Sequence, residues 1–443
     1  MLKRLALVSS AAILTVSFCE ANALAQVAST AEFTCGTTAP STGHALSSAT
    51  VFHPAVNSAF GFDLATAPGE FSGGACSGDK PFFFSASVPE GNYRVTVVLG
   101  GPQSSVTTVR AESRRLMVLE QSVPTRGSST WTFNVNVRVP EISTPPPDAS
   151  HHVKLKPREI GALDWDTKLT LEFNGEHPSV RSIAIASATD VPTLYLAGDS
   201  TVVDQDKEPW AAWGQMLPLF FGEKLSIANE AESGETIRSF VGEGRLEKIL
   251  STIKPGDFLM IQFAHNDQKQ GSGYVPAATD YQTYLRRYIA EAKAHGATPI
   301  LVTSMNRRAF DSSGHILPTL GDYPASMREV AASEHVALID LNAMSKTLFE
   351  TMGEQGTLKA FVHYPANSFP GQPQELKDDT HFNSYGAYEL ARCIVKSVGE
   401  EHLPLAPYLR KDIPTFDPAK PDALANWHLP ASPFVEIETP YGR

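Results

Sequence analysis

TLYLAGDSTVV, residues 193–203, is a short apolar run that ends at Gly198 and is followed by Asp199, Ser200 and Thr201. A β-branched and aromatic run that stops at a glycine, with a serine just beyond it, is typical of a strand whose carboxyl end presents a nucleophile in an α/β protein. A turn in which Asp199 or Ser200 caps the next helix explains the same residues. A base, an acid and oxyanion donors elsewhere in the chain would favour the nucleophile.

The chain around this stretch alternates apolar strands with helical segments. That alternation predicts a parallel sheet with helices on both faces. Apolar residues at helical spacing predict helices over Thr283 to His295, Ala325 to Glu334 and Tyr385 to Val398. The strands are expected at Tyr195 to Ala197, Leu225 to Ala228, Phe258 to Phe263, Pro299 to Thr303 and Ala337 to Leu341. The sequence therefore predicts an α/β domain over residues 191–402, followed by a proline-rich tail, 403–443, that drapes over the surface.

Residues 26–190 show a different pattern, without any long apolar stripe at helical spacing. Short alternating or apolar runs are separated by Gly, Pro, Ser and Asp, which predicts an all-β sandwich or jelly roll. The proline-rich stretch 140–150 is expected to be a loop within it. Typical runs are Pro81 to Ser87, Tyr93 to Leu99, Ser105 to Ala111, Leu116 to Leu119, Trp131 to Val139, Leu169 to Phe173 and Ser182 to Ala186.

The first 25 residues predict a secretory signal peptide rather than a folded element. Lys3 and Arg4 precede an apolar run that reaches Phe18, and a small-residue site, Ala23-Leu24-Ala25, follows it. The mature chain is expected to be exported, either periplasmic or secreted, and it has no further apolar run long enough to span a membrane. In an oxidising compartment Cys35 and Cys76 could be bridged, and this pairing stays open. Cys393 lies in an apolar helical pattern and is expected to be a buried free thiol.

The charge balance argues against one class of partner. The chain of 443 residues carries 36 Lys plus Arg against 48 Asp plus Glu, a formal net charge of −12. Nucleic acid is bound by basic surface, so nucleic acid is not an expected partner. A polyanionic ligand would need a local basic patch against this overall field.

Polar residues follow three other points of the predicted α/β domain. Asn266 comes directly after the strand at 258–263, where it can offer a side-chain donor or merely turn the chain. Gly234 lies in the loop after the strand at 225–228, where a backbone N–H can approach a ligand closely. Asp378 and His381, three apart before the last helix, would lie side by side in a helical-type turn. The carboxylate could fix the histidine tautomer for proton transfer, or both could be satisfied by capping.

Together the four blocks resemble the SGNH, or GDSL, hydrolase superfamily: Ser200 in AGDST, Gly234 in AESGET, Asn266 in AHND and His381 in DDTHF, in the family order. The resemblance covers roughly residues 193–400 and implies a flavodoxin-like three-layer fold. It implies that Ser200 attacks, His381 acts as base and acid, and Asp378 orients His381. The implied oxyanion hole consists of the Ser200 and Gly234 N–H groups and the Asn266 side chain. Ala264 departs from the usual glycine of its block.

Within that superfamily the text around the blocks looks like the rhamnogalacturonan acetylesterases, through GDSTVVDQDKEPWAAWGQML, QFAHND, and DDTHF followed by Tyr385-Gly386-Ala387. That likeness implies removal of acetyl groups from a pectic polysaccharide or oligosaccharide. The β-rich part resembles galactose-binding-like carbohydrate modules, although it could be only a packing partner. An esterase or thioesterase of other acyl groups, and a non-catalytic carbohydrate-binding protein, are the alternatives.

Four further residues are candidate substrate contacts. Arg307 and Arg308 follow the fourth strand and could pair with galacturonate carboxylates, or be solvated or bridge to acids such as Asp311. Trp210 and Trp213 could stack on sugar rings or belong to the core. Serine chemistry of this kind needs no metal or other cofactor, and the mature chain shows neither a His-Glu-x-x-His motif nor paired cysteine spacing.

Overall fold

The computed structural model describes residues 26, 29–36, 43–54, 58–143 and 151–440. The expected signal peptide and most of the expected loop 140–150 lie outside these residues. No helix in the described ranges is both long and apolar enough to cross a membrane. The last strand of the β-rich part ends at Ser187, and the parallel sheet begins at Thr193.

The β-rich part consists of two sheets with one hydrophobic core. The sheets have the strand orders β10-β7-β12-β1-β2, which β5 and β4 join through β12, and β3-β6-β11-β8-β9. Alternating residues face the core, as in β7, where Val95 and Val97 are buried between more exposed neighbours. The strands are β1 Thr30–Cys35, β2 His44–Leu46, β3 Phe60–Asp63, β4 Glu70–Ser72, β5 Ala75–Ser77, β6 Phe82–Ser87, β7 Gly91–Leu99, β8 Ser105–Ala111, β9 Arg115–Val123, β10 Ser129–Val137, β11 Lys168–Glu176 and β12 Ser179–Ser187.

The two sheets share their buried side chains. Val95 and Ile183 of the first sheet belong to the same buried cluster as Phe84 and Leu171 of the second. All the predicted runs of this part lie in strands, with end points that differ by a few residues. The assignment to a jelly roll or a galactose-binding-like module stays a prediction.

The cysteines of the β-rich part are bonded to each other. Cys35, at the end of β1, forms a disulfide with Cys76 in β5, which resolves the pairing left open by the sequence. Cys393 is buried and free in the last helix, as expected.

The second part is an α/β domain with a five-stranded parallel sheet. Its strand order, β14-β13-β15-β16-β17, is the 2-1-3-4-5 order of flavodoxin-like sheets. A separate antiparallel pair, β18 and β19, precedes the last helix. The elements are β13 Thr193–Gly198, α1 Trp213–Met216, β14 Ser226–Asn229, α2 Ile237–Gly242, α3 Arg245–Thr252, β15 Phe258–Gln262, α4 Gln282–Ala294, β16 Thr298–Val302, α5 Tyr323–Glu334, β17 Ala337–Ile339, α6 Leu341–Thr357, β18 Phe361–Tyr364, β19 Leu376–Phe382 and α7 Ser384–Glu400.

Helices cover both faces of this sheet. Leu196 and Met260 point to one face, into a cluster that includes Leu390 of α7. Ala197 and Ile261, one residue further along each strand, belong to the cluster on the other face, which includes Leu285 of α4. Strands buried on both faces read as continuous apolar runs, and this explains why the sequence shows them clearly. The predicted three-layer α/β fold is confirmed.

Two features differ from the sequence-based expectations. Leu341, expected to end a strand, begins the unpredicted helix α6, whose segment contains Gly353 at a left-handed φ of 71°. The tail after His402 does more than drape over the surface. Phe434 packs against Phe83 of β6 with ring centroids 5.4 Å apart, and the Ala431 carbonyl accepts a hydrogen bond from Asn174 at 2.9 Å. The tail therefore returns from the α/β domain to the β-rich part.

Candidate active site

Ser200 lies just beyond the carboxyl end of β13, on a tight buried turn. The Asp199 carboxylate builds this turn, because its Oδ1 accepts hydrogen bonds from the Thr201 N–H at 2.9 Å and the Thr201 hydroxyl at 2.7 Å. The Asp199 carbonyl also accepts from the Val202 N–H at 2.9 Å. Asp199 thus builds the turn that the sequence offered as the alternative explanation of this stretch. The Ser200 hydroxyl takes no part in the turn and makes its hydrogen bond elsewhere.

Asp378 and His381 are not in a helical turn, so that expectation was wrong. Both lie in β19, whose pairing with β18 shifts register between Phe361 opposite Phe382 and Val362 opposite Asp378. The extra residues bulge, and Asp378 Oδ1 holds the bulge by accepting from the N–H groups of Thr380 and His381 at 2.9 and 3.0 Å. An aspartate turn inside a strand brings the two side chains together.

Ser200, His381 and Asp378 form one continuous chain of hydrogen bonds. His381 Nε2 lies 2.8 Å from Ser200 Oγ, and His381 Nδ1 lies 2.8 Å from Asp378 Oδ2. All three residues are buried, with exposed fractions of 1%, 1% and 2%. Residues 178 and 181 positions after the serine in the sequence therefore meet it at one edge of the sheet.

The charge on Asp378 fixes the donor and acceptor directions in this series of hydrogen bonds. Burial alone would raise the pKa of the Asp378 carboxyl. The hydrogen bond and charge of His381 and the two backbone N–H groups outweigh burial and lower that pKa to about 2. Asp378 is thus ionised at neutral pH and accepts a hydrogen bond from the Nδ1–H group of His381. The Nε2 lone pair then faces the serine hydroxyl.

Gly234 and Asn266 lie in adjacent loops after β14 and β15. Gly234 has a left-handed φ of 83°, and the Asn266 side chain donates to the Glu235 carbonyl at 3.0 Å. A side-chain amide has two N–H groups, so one donor of Asn266 is left for a ligand. Among the described residues, neither the Ser200 nor the Gly234 backbone N–H has a hydrogen-bond acceptor. All three expected oxyanion donors are thus available.

Ala264 does not disturb this loop. Its side chain is 1% exposed and belongs to the same core cluster as Phe263, and its φ is not in the left-handed region. An alanine is compatible with such a backbone without strain. The departure from the usual glycine therefore has no visible effect on the placement of Asn266.

Buried ionisable groups next to the site were not singled out in the sequence. Asp267 Oδ1 accepts from the Ile237 N–H at 2.8 Å and so anchors the start of α2. Burial raises the pKa of Asp267 to about 8, with a further contribution from the nearby Asp199 charge. Burial, together with the charge of Arg307, lowers the pKa of His265 well below its usual value, so this imidazole is neutral. The position of Asp267 directly after Asn266 was the available signal for it in the sequence.

The two tryptophans are buried, so of the two interpretations left open by the sequence the structure favours the core over sugar stacking. Trp213 is completely buried, and its Nε1 donates to Gln262 Oε1 at 2.9 Å. Trp210 is 2% exposed. At this degree of burial neither side chain presents a ring face to solvent on which a sugar could stack.

The two arginines differ from each other. Arg308 pairs with Asp379 Oδ1 at 3.0 Å and donates to the Glu354 carbonyl at 2.9 Å, so it braces the β19 bulge and is not available for a substrate carboxylate. Arg307 instead donates from Nη2 to the His265 carbonyl at 3.1 Å. The Gln268 amide is oriented so that its nitrogen donates to the Thr319 carbonyl. Its oxygen then accepts from the Arg307 guanidinium at 2.6 and 3.0 Å. Neutral groups thus hold Arg307 in place.

A parallel sheet of this order, with a serine, a histidine and a carboxylate joined at its carboxyl edge, has the architecture of a serine hydrolase. Residues 196–387 match the GDSL-like Lipase/Acylhydrolase family. The described ranges contain no group of His, Cys, Asp and Glu side chains that could hold a metal ion.

Relatives of known name cover about half of the chain or more. The chain is 41% identical over 218 residues to rhamnogalacturonan acetylesterase RhgT of Bacillus subtilis (strain 168), across 49% of this chain and 93% of the relative. It is 36% identical to the probable rhamnogalacturonan acetylesterase YesY of the same organism, across 49% and 98%. The uncharacterized esterase YxiM, also from that organism, is 29% identical across 71% and 73%. The protein belongs to the GDSL-like lipase/acylhydrolase family and is a carbohydrate esterase.

Proposed function

We propose that this protein removes acetyl groups from an acetylated pectic polysaccharide, rhamnogalacturonan or a related polymer, through an acyl-enzyme intermediate on Ser200. The observation that carries the mechanism is the 2.8 Å contact between Ser200 Oγ and His381 Nε2, backed by the ionised Asp378. The names of the relatives RhgT and YesY support the choice of substrate.

The reaction begins with proton transfer from the serine hydroxyl. His381 Nε2 takes that proton while Ser200 Oγ forms a bond to the acetyl carbonyl carbon. The resulting imidazolium then gives the proton to the sugar oxygen, whose bond to the carbonyl carbon breaks. Water attacks the acetyl-serine next and passes its proton to His381, and acetate leaves as Ser200 recovers its proton. Asp378 stays ionised throughout and holds the Nδ1 proton.

Negative charge develops on the former carbonyl oxygen in both steps. The Ser200 and Gly234 N–H groups and the second N–H of Asn266 are the donors that stabilise it. Loss of one preorganised donor of this kind costs about 3 to 4 kcal/mol in the transition state. The hydrogen bond from Asn266 to the Glu235 carbonyl, at 3.0 Å, holds the side chain in place before substrate arrives.

An acidic substrate fits the charges beside the site. Lys269 follows Asn266 in the same turn, where its N–H donates to the Asn266 carbonyl at 3.0 Å. Burial, with the nearby charge of Arg307, lowers the pKa of Lys269 to about 8. Among the described residues neither cation forms an ion pair with a carboxylate, although the Asp199 and Asp378 charges act on both from further away. A galacturonate carboxylate next to the acetylated sugar would supply a direct partner for them.

Acetate release tests the reaction. Acetylated rhamnogalacturonan should lose acetate to the wild-type protein and to Ser333→Ala, a control on an exposed serine of α5, but not to Ser200→Ala. Chromogenic esters with long acyl chains should be poor substrates, because the site presents polar loops. Full acetate release by Ser200→Ala would contradict the mechanism, and preference for a long acyl chain would contradict the substrate.

The acidic substrate has its own test. Lys269→Met and Arg307→Met should raise KM for acetylated rhamnogalacturonan about tenfold each and leave KM for a small neutral acetyl ester within twofold, since a charge-assisted hydrogen bond contributes about 1.5 kcal/mol or more. Lys293→Met, which removes an exposed lysine of α4, is the matched control. Equal effects on both substrates would show that the two cations serve the fold and not the substrate.

We also propose that the protein is exported, because a pectic polysaccharide is a substrate found outside the cytoplasm. The basic residues, the apolar run and the Ala23-Leu24-Ala25 site at the start of the sequence support export. The mature protein recovered from the periplasm or the medium should begin at Gln26. Recovery of the full chain from the cytoplasm alone would contradict this proposal.

A further inference from the structure

The β-rich part and the α/β domain meet through buried charged side chains. Arg115, at the start of β9, places its Nε 2.5 Å from Asp204 Oδ2, four residues after Ser200. Arg138 lies 3.5 Å from Glu230 in the loop after β14. Buried ion pairs contribute little net stability, but they allow few alternative positions for the groups that they join. These pairs therefore fix one part against the other.

One segment of the β-rich part, residues 151–166, reaches the loops of the candidate active site. We call it the bridging segment. Its Glu159 carboxylate accepts two hydrogen bonds from Arg245, the first residue of α3, at 3.0 and 2.5 Å. Both side chains are at least 95% buried. This bidentate pair docks the bridging segment on α3, the second helix after the Gly234 loop.

Lys156 of the bridging segment holds the Gly234 loop on both sides of the glycine. Its ammonium donates to the Ser233 carbonyl at 2.7 Å and forms an ion pair with the completely buried Glu235 carboxylate. The Glu235 carbonyl is in turn the acceptor for Asn266. One side chain from outside the α/β domain therefore restrains the loop that carries one oxyanion donor, the Gly234 N–H, and that holds a second, the Asn266 side chain, through the Glu235 carbonyl.

A second contact reaches Ser200 itself. Arg158 Nη2 donates to Gln205 Oε1 at 3.1 Å, and Gln205 Nε2 donates to the Ser200 carbonyl at 2.9 Å. Arg114, in the turn before β9, donates to the Gln205 backbone carbonyl at 3.0 Å. Gln205 is thus held between two arginines of the β-rich part and the backbone of the nucleophile.

We propose that the β-rich part is a positioning element of the active site, and that Lys156 positions the oxyanion donors through Ser233 and Glu235. This positioning role of the β-rich part does not require that it bind sugar. Lys156 does not touch the substrate, so its removal should disturb the transition state and not ground-state binding. The inference rests on the proposed function, since it concerns the donors of that reaction.

The kinetics of Lys156 variants test this inference. Lys156→Met should lower kcat on acetylated rhamnogalacturonan by about tenfold to a hundredfold, the range expected when a preorganised donor is misplaced by about 1 Å, and leave KM within twofold. Lys156→Arg, which keeps the charge and the donors, should recover most of kcat. Lys154→Met removes an exposed lysine of the same segment and should behave as wild type. Affinity for a boronic acid, which forms a tetrahedral serine adduct, should fall in parallel with kcat.

A second variant guards against simple loss of folding, because Lys156→Met leaves Glu235 buried opposite a neutral side chain. Lys156→Met combined with Glu235→Gln removes that charge, and the thermal unfolding midpoint of each variant is measured beside its kinetics. A folded double variant with low kcat and unchanged KM supports the inference. Wild-type kcat in a folded variant overturns it, as does a kcat that Lys156→Arg does not recover. Absence of acetate release by the wild-type protein would instead refute the proposed function.

Discussion

Asp378→Asn should separate the electrostatic role of the carboxylate from the geometry around it. The asparagine oxygen can still accept from the Thr380 and His381 N–H groups, as Asp378 Oδ1 does at 2.9 and 3.0 Å, so the β19 bulge is preserved. The asparagine amide would then face His381 Nδ1 as a donor. The histidine must respond by carrying its proton on Nε2, and in that tautomer it cannot accept the proton of Ser200.

The expected losses of kcat and of folding stability both follow from the contacts of Asp378. A histidine in the wrong tautomer lowers kcat by about 10⁴-fold. The pKa of Asp378 falls from 3.8 to about 2 in the folded protein, which corresponds to about 2 kcal/mol of folding stability. Because the folded pKa is the lower one, this contribution is complete above about pH 4 and is lost as the pH falls towards 2. The variant lacks it at every pH.

Two measurements check this prediction. Initial rates of acetate release give kcat at neutral pH, and urea unfolding at pH 7 and pH 3 gives the free energy of unfolding. We expect the stability difference between wild type and Asp378→Asn to be smaller at pH 3, whereas Asp190→Asn, an exposed control, should show no such change. A kcat within tenfold of wild type, or a stability difference that grows at low pH, would show that Asp378 lacks the corresponding role.

Three further changes have expected outcomes. Asn266→Ala should lower kcat about 10² to 10³-fold in initial-rate assays, since it removes an oxyanion donor, and a smaller loss than tenfold would exclude that role. Replacing Cys35 and Cys76 by serine should cost about 4 kcal/mol in urea unfolding, as expected for a bridge across 41 positions, and kcat should persist in the folded variant. Leu285→Ala, at a completely buried site on α4, should cost about 2 to 5 kcal/mol, while Thr283→Ala on the exposed face should be neutral.

The fold of the α/β domain was accessible from the sequence because its signals are local. Buried parallel strands such as β13 and β15 are mostly apolar runs, and Ser200 and Asn266 lie two and four residues beyond their ends. Once both strands are placed in one parallel sheet, their carboxyl ends must share an edge. The predicted contact between Asp378 and His381 was also correct. The sequence placed it in a helical-type turn, whereas both residues lie in the bulged strand β19.

The rest depends on pairings that no local pattern contains. The strand β19 has polar residues at Lys377, Asp378 and Asp379, and its bulge is held by side-chain hydrogen bonds rather than by alternating apolar residues. The contact of Arg115 with Asp204 joins residues 89 positions apart, on elements of two different folds. Lys156 and Glu235, which form an ion pair, are 79 positions apart (235 − 156). Such interactions are determined by how the two parts dock.

In the proposed mechanism the acetyl group is transferred to Ser200 before water releases it, and an acid quench during the first turnovers would trap this acetyl-enzyme. Wild-type protein is mixed with acetylated rhamnogalacturonan, quenched and digested, and the peptides are weighed by mass spectrometry. We predict one added acetyl group on the peptide that contains Ser200, and none on any peptide of Ser200→Ala. Rapid acetate release without that modified peptide, or an acetyl group on another residue, would contradict this mechanism.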